Sequence, residues 1–208
     1  CIRDSTNLEG ALSTDLGAVT ITSTGTIFIG DDITTNAGAI DISGAVQLMT
    51  NNIDISTGTG AAVTFDSTID NKSGEDNNLT IASGTGDVSL GGASAHIGAT
   101  TAIGNLTINS EAGTGDITLV GNIGDSSGAG AATVTLGQDD TAILDFDGTV
   151  YNTGAATYTG ESITLSGDGV SFITNNLAVE FADGTIVLGD DSDLTIDTYT
   201  GEQSSGAG

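Results

Sequence analysis

Residues 78–124 decide the fold: Asn78-Leu79-Thr80-Ile81 recurs as Asn105-Leu106-Thr107-Ile108, and Gly84-Thr85-Gly86-Asp87 recurs as Gly113-Thr114-Gly115-Asp116. In both copies an apolar–polar–Leu triplet follows, Val88-Ser89-Leu90 and then Ile117-Thr118-Leu119, and Ile97-Gly98 is answered by Ile123-Gly124. The period of 26 to 29 residues is the length of one coil of a β-solenoid with two or three strands per turn. A β-sandwich domain would repeat only at about 100 residues. The reading is therefore all-β: a parallel β-helix of short strands with Gly, Asn and Asp turns. A β-sandwich subunit completed by strand donation is the alternative.

Outward from that stretch the same alternation runs along the chain. Val19-Thr20-Ile21, Ile40-Asp41-Ile42, Val63-Thr64-Phe65, Leu144-Asp145-Phe146, Ile163-Thr164-Leu165 and Leu194-Thr195-Ile196 place apolar residues two apart between turn formers. Period-two alternation of β-branched residues predicts strands with one buried face. No window keeps a 3.6-residue period. Asp147-Gly148, Asp168-Gly169 and Asp183-Gly184 mark turns, where Gly supplies backbone angles that strain other residues. At roughly 20–28 residues per coil the chain makes about eight coils, a rod about 40 Å long at ~4.8 Å per strand. Residues 1–16 are expected as an N-terminal arm, 17–200 as a single β-repeat domain, and 201–208 as a flexible tail.

Composition narrows the function. Twenty-eight acidic residues face only Arg3 and Lys72, for a net charge of −26. Such a polyanion is repelled by nucleic acid and by anionic lipid, which sets both aside as partners. The charge supplies repulsion that keeps β edges from clumping, with divalent-cation binding as a second reading. No stretch approaches the ~20 apolar residues that span a bilayer. Cys1 is the lone cysteine, so an internal disulfide framework is excluded, while acylation as a lipid anchor, an intermolecular disulfide and a free thiol stay open.

Asn105-Leu106-Thr107-Ile108-Asn109-Ser110 and Thr64-Phe65-Asp66-Ser67-Thr68-Ile69, with Gly-rich strings ending in Ile-Gly, resemble repeats of very large secreted bacterial proteins of the filamentous-haemagglutinin type. The likeness is clearest from Val63 to Leu136. It implies a right-handed parallel β-helix, export, and a role in adhesion or surface architecture, and it transfers no catalytic residues. Those proteins are far longer, so the likeness implies an excised segment or a small self-assembling relative.

Catalysis is hard to assemble from this inventory. His96 is the only histidine, and the second repeat has Asn122 in its place, which reads as a turn residue. Polysaccharide-active β-helices use clustered carboxylates, but cations and aromatics to hold a sugar are scarce here. The expectation is that the chain is not an enzyme and needs no cofactor. Calcium is the stronger chemical candidate: Asp190, Asp191 and Asp193 cluster in Gly-Asp-Asp-Ser-Asp, and Asp145 and Asp147 alternate along a strand. Asp31-Asp32 and Asp139-Asp140 are similar pairs. Asn71, Asn78 and Asn105 open glycosylation sequons.

A solenoid has two open ends, and no amphipathic helix at either terminus is available to cap them. The expected role is a structural subunit of an extracellular filament, sheath or surface fibre whose copies join head to tail. The alternative is an adhesin segment gripping a cell-surface or glycan ligand. A polysaccharide-active enzyme is a distant third.

Overall fold

The computed structural model describes residues 5–15, 17–92, 95–109, 113–125, 127–189 and 193–198. Among them are strands and turns but no helix, and so none long and apolar enough to cross a membrane. The chain winds round three faces, I, II and III. The first coil is β1 (Ser5–Leu8), β2 (Leu12–Thr14) and β3 (Val19–Thr22); the second is β4 (Thr26–Ile29), β5 (Ile33–Thr35) and β6 (Ile40–Ser43). β7 (Val46–Leu48), β8 (Asn52–Ser56) and β9 (Val63–Phe65) make the third, and β10 (Ile69–Asn71), β11 (Asn78–Ala82) and β12 (Val88–Leu90) the fourth. In the next two coils face I narrows to bridges at Ile97 and Ile123. These coils are completed by β13 (Ile103–Ile108) with β14 (Ile117–Leu119), and by β15 (Ala131–Leu136) with β16 (Ile143–Phe146). The ten-residue β17 (Val150–Thr159) turns from face I to face II, and β18 (Ser162–Leu165) closes the seventh coil. β19 (Val170–Thr174), β20 (Val179–Ala182) and β21 (Thr185–Leu188) form the eighth, and β22 (Leu194–Asp197) lies on β19.

Every named strand pairs in parallel with its neighbour one coil away, so the chain is a β-solenoid and not a sandwich. On face III, Val19, Ile40, Val63, Val88, Ile117, Leu144, Ile163 and Ile186 stand in one ladder, so a turn takes 19 to 29 residues. The repeat seen in the sequence is the stacking of one coil on the next: Leu79 pairs with Leu106, Val88 with Ile117, Gly84 with Gly113 and Ile97 with Ile123. Of the expected N-terminal arm, the described part carries β1 and β2, paired with β4 and β5. Cys1 and the tail 201–208 lie outside the described residues.

Alternate side chains point inward and form one continuous apolar core from Val19 to Phe172. Near the C-terminal end it turns aromatic: the Phe146 ring meets Tyr151, Tyr158 and Phe172 edge-on, with centroids 4.7, 4.9 and 5.1 Å apart. Burial pushes the Tyr151 phenol well above its ordinary value, and its oxygen accepts the Gly148 N–H at 2.8 Å.

The corner from face II to face III must bury polar backbone, and a column of small polar side chains satisfies it. Thr14, Thr35 and Ser83 each donate to the carbonyl three residues on (Gly17, Gly38 and Gly86), and Thr57 donates to Ala61 at 2.7 Å. Asn109 continues the column, accepting the Ser83 N–H and donating to its hydroxyl, both at 2.9 Å. Unmade bonds here would each cost about 1–3 kcal/mol.

The Ile-Gly repeat also has a geometric cause. Gly98 and Gly124 sit at φ +66° and +67°, and a Cβ on Gly98 would lie 1.9 Å from the Gly130 carbonyl oxygen. Gly98→Ala is expected to lower stability by roughly 2–5 kcal/mol, from backbone strain and overpacking together. Urea denaturation checks this, and a loss below ~1 kcal/mol would contradict it.

Candidate functional site: the open ends of the solenoid

The inward ladders do not stop at the last coil; they run out into solvent. Ile186 and Leu188 on β21 stack on Ile163 and Leu165, which are fully buried, yet are themselves 42% and 50% exposed. Ile196 on β22 is 49% exposed above the fully buried Phe172. Val179 and Phe181 on β20 are only partly covered, and Leu177 at the preceding corner is exposed. β20, β21 and β22 are also terminal in their sheets, so each presents one unpaired edge among the described residues. At the other end β1, β2 and β3 are terminal, with Leu8 and Leu12 half-buried and Val19 and Ile21 almost covered.

Both ends are acidic. Glu180, Asp183 and Asp193 flank the C-terminal rim, and Glu9 and Asp15 the N-terminal one. Among the described residues the one salt bridge is Lys72–Glu75, at 3.7 Å and far from either rim. Asp183, held at φ +65° in the corner between β20 and β21, shares a side-chain hydrogen bond with Asp139 two coils below, and that bond and the mutual repulsion raise its carboxyl above the ordinary value. A raised folded-state value stabilises the fold below the ordinary carboxylate range, and the contribution is lost as pH rises through the raised value. Asp183→Asn keeps a residue tolerant of positive φ and removes the repulsion. It is expected to raise Tm at about pH 7 and leave it unchanged at about pH 3, below the ~3.9 of a free Asp. Paired thermal melts check both arms, and an equal shift at both pH values would contradict the account.

Several other acids bond to the neighbouring coil. Asp32, Asp87 and Asp116 accept the backbone N–H of Asp54, Asp116 and Ile143 in the following coil at 2.9–3.1 Å. Asp70 accepts Thr100 and Thr101, and Asp66 bonds back to Ser43 and Gly44. Asp125 closes its own turn by accepting the Ser127 hydroxyl and N–H and the Gly128 N–H, which hold its carboxyl below the ordinary value.

Of the candidate calcium ligands, Asp190 and Asp191 lie outside the described residues. Asp193 is exposed before β22, Asp145 accepts the Ser166 hydroxyl at 2.6 Å, and Asp147 is exposed at the next corner. Among the described residues no three His, Cys, Asp or Glu side chains come together in a metal-binding group. His96 stands one residue before the Ile97 bridge as Asn122 does before Ile123, and Nδ1 accepts the Asn122 N–H at 3.2 Å. Asn122 does the same for Thr149 and Val150. The sequon residue Asn71 is buried and donates to the Glu75 carbonyl, whereas Asn78 and Asn105 belong to an outward ladder with Asn52 and Thr133 on face II.

Sequence reasoning missed the hydroxyl column at the corner. Its signal is a Thr or Ser three residues before Gly, as in Thr14-Asp15-Leu16-Gly17, Thr35-Asn36-Ala37-Gly38 and Ser83-Gly84-Thr85-Gly86. It also missed the asymmetry of the ends, since Ile186-Val187-Leu188 reads like any other strand triplet. Compared with protein-family models, with curated proteins and with solved structures, the chain matches none.

Proposed function

We propose that the chain is a structural module of an extracellular filament, sheath or surface fibre, joined to its own copies end to end. The observation that carries this reading is the C-terminal rim, where inward apolar positions and three strand edges meet solvent together. The N-terminal rim supplies matching ladder positions, so the join is heterologous and the assembly open-ended. The resemblance to secreted surface proteins and the scarcity of lysine and arginine agree with an exported role. An adhesin segment is the second reading. It is favoured by a groove on face I where Phe28 and Met49 point outward among Asn7, Glu9 and Thr50.

Salt distinguishes these readings. At −26 per chain, copies repel each other until the screening length falls from ~10 Å at 0.1 M to ~3 Å at 1 M salt. Sedimentation velocity and negative-stain microscopy across that range are expected to show monomers giving way to rods longer than one chain. Monomers at every salt and protein concentration would overturn the structural reading. Glycan-array binding by those monomers would favour the adhesin one.

A further inference from the structure

The groove on face I is a product of the register. Asn7, Phe28 and Gln47 are outward partners in successive coils. Gly30 and Met49 hold the next outward positions, with the Gly30 N–H on the Leu8 carbonyl and the Met49 N–H on the Ile29 carbonyl, both at 2.8 Å. Gly30 has no side chain to fill its place in the row, so a cleft of about 350 Å³ opens between Glu9 and Met49 beside the Phe28 ring. Ligand clefts begin at about 300 Å³. Phe28 is also the one described aromatic residue that faces outward: Phe65, Phe146, Tyr151, Tyr158 and Phe172 are buried, and Phe181 packs on the core. The cleft opens on the flank of coils one to three, so a coil stacked on either end would leave it open.

Its donors are largely spent. Asn7 Nδ2 donates to Glu9 Oε1 at 2.7 Å, and the Thr50 hydroxyl donates to the Gly30 carbonyl at 3.1 Å. What the lining side chains keep are acceptors: Asn7 Oδ1, the Glu9 carboxylate and the Thr50 hydroxyl oxygen. An occupant must therefore bring donors together with an apolar body. The charge points the same way. The chain carries −26, and its one described cation, Lys72, stands one coil beyond Met49 and is engaged by Glu75 at 3.7 Å.

We propose that this cleft takes an arginine side chain of a partner protein. A guanidinium lies flat on an aromatic face, and its donors, with no acceptor among them, match the oxygens of Glu9, Asn7 and Thr50. Its methylene stem covers the Met49 side chain. A lysine ammonium lacks the planar fork, and a sugar hydroxyl asks for donors that the cleft has already used. The acidic surface draws such a partner in, most strongly at low salt. An arginine ligand deepens the adhesin reading by naming its partner class, and it rests on that reading rather than on end-to-end joining.

Met49 is the only methionine, so methyl-labelled methionine in the full chain puts a single NMR signal in the cleft. The probe is acetyl-glycyl-arginyl-glycinamide, with its citrulline counterpart as the neutral isostere, in about 0.15 M salt, where charges are screened beyond about 8 Å. The arginine peptide is expected to move the Met49 signal saturably and the citrulline peptide to leave it in place. Phe28→Leu keeps an apolar side chain without the ring, and Glu9→Gln keeps the shape without the charge; each should weaken binding by about threefold or more. Asp41→Asn, at an exposed position on face III, alters the net charge as much as Glu9→Gln and should leave binding unchanged. Equal weakening by Asp41→Asn and Glu9→Gln, or equal shifts from the two peptides, overturns the site. Spermidine binding as tightly as the arginine peptide overturns the protein partner in favour of a small polyamine. A saturable shift with neutral oligosaccharides and none with arginine overturns the arginine and keeps the adhesin reading. No shift with any probe overturns both.

Discussion

Phe146→Ala is expected to lower the stability of the chain by about 3–5 kcal/mol, the range for emptying a buried aromatic site. The ring is fully buried within the aromatic cluster, touching Tyr151, Tyr158 and Phe172 edge-on. Each such pair adds about 0.5–1.5 kcal/mol beyond its area, so the cavity removes three favourable contacts as well as buried surface. The loss should also be local. In a solenoid each coil contacts only its neighbours, so stability is close to a sum of coil and interface contributions. Hydrogen exchange on the variant is expected to show coils six to eight opening while β3 to β12 keep their protection. Phe28→Ala is the control: that ring points outward on face I and is half-buried, so its loss should stay under ~1 kcal/mol. Equal effects from the two substitutions would contradict the assignment of the core.

The second large effect concerns assembly. Ile186→Glu combined with Leu188→Glu is expected to abolish rods in high salt while leaving Tm within a few degrees of the parent. Both side chains are already half in water, so the monomer loses little apolar burial, whereas a join would have to bury two charges without partners. The same pair of changes one coil down, Ile163→Glu with Leu165→Glu, should unfold the C-terminal half, because those positions are fully buried. The contrast isolates position in the ladder from residue type, since 163, 165, 186 and 188 share face III and the same inward register. Rods from the Ile186→Glu, Leu188→Glu chain would place the contact elsewhere.

Much of the architecture was legible in the sequence. The apolar–polar–apolar triplets from Val19-Thr20-Ile21 to Leu194-Thr195-Ile196 all fall within strands, and the repeat from Asn78 to Gly124 matches the observed register. Two of the strands that escaped the pattern share a cause. β5 and β10 read Ile-Thr-Thr and Ile-Asp-Asn, and their inward third residues, Thr35 and Asn71, are polar groups buried against corner carbonyls. β17 escaped because its inward apolar positions are Tyr151, Ala156 and Tyr158, spread over a strand that rounds a corner. That the candidate site lies at the ends of the stack was legible; which end leaves its apolar ladder positions exposed among the described residues was not.

The alternation of inward and outward side chains and the length of a coil follow from the order of residues alone. Pleating puts neighbouring residues on opposite faces whatever lies around them, and a repeat of period 26 to 29 has one simple stacking. Tertiary structure alone decided which acids cap the next coil, because Asp32, Asp87 and Asp116 reach backbone 22 to 29 residues away. It also decided the rims. Ile186 and Ile163 have the same local pattern, and Ile186 is exposed because no described strand lies on it.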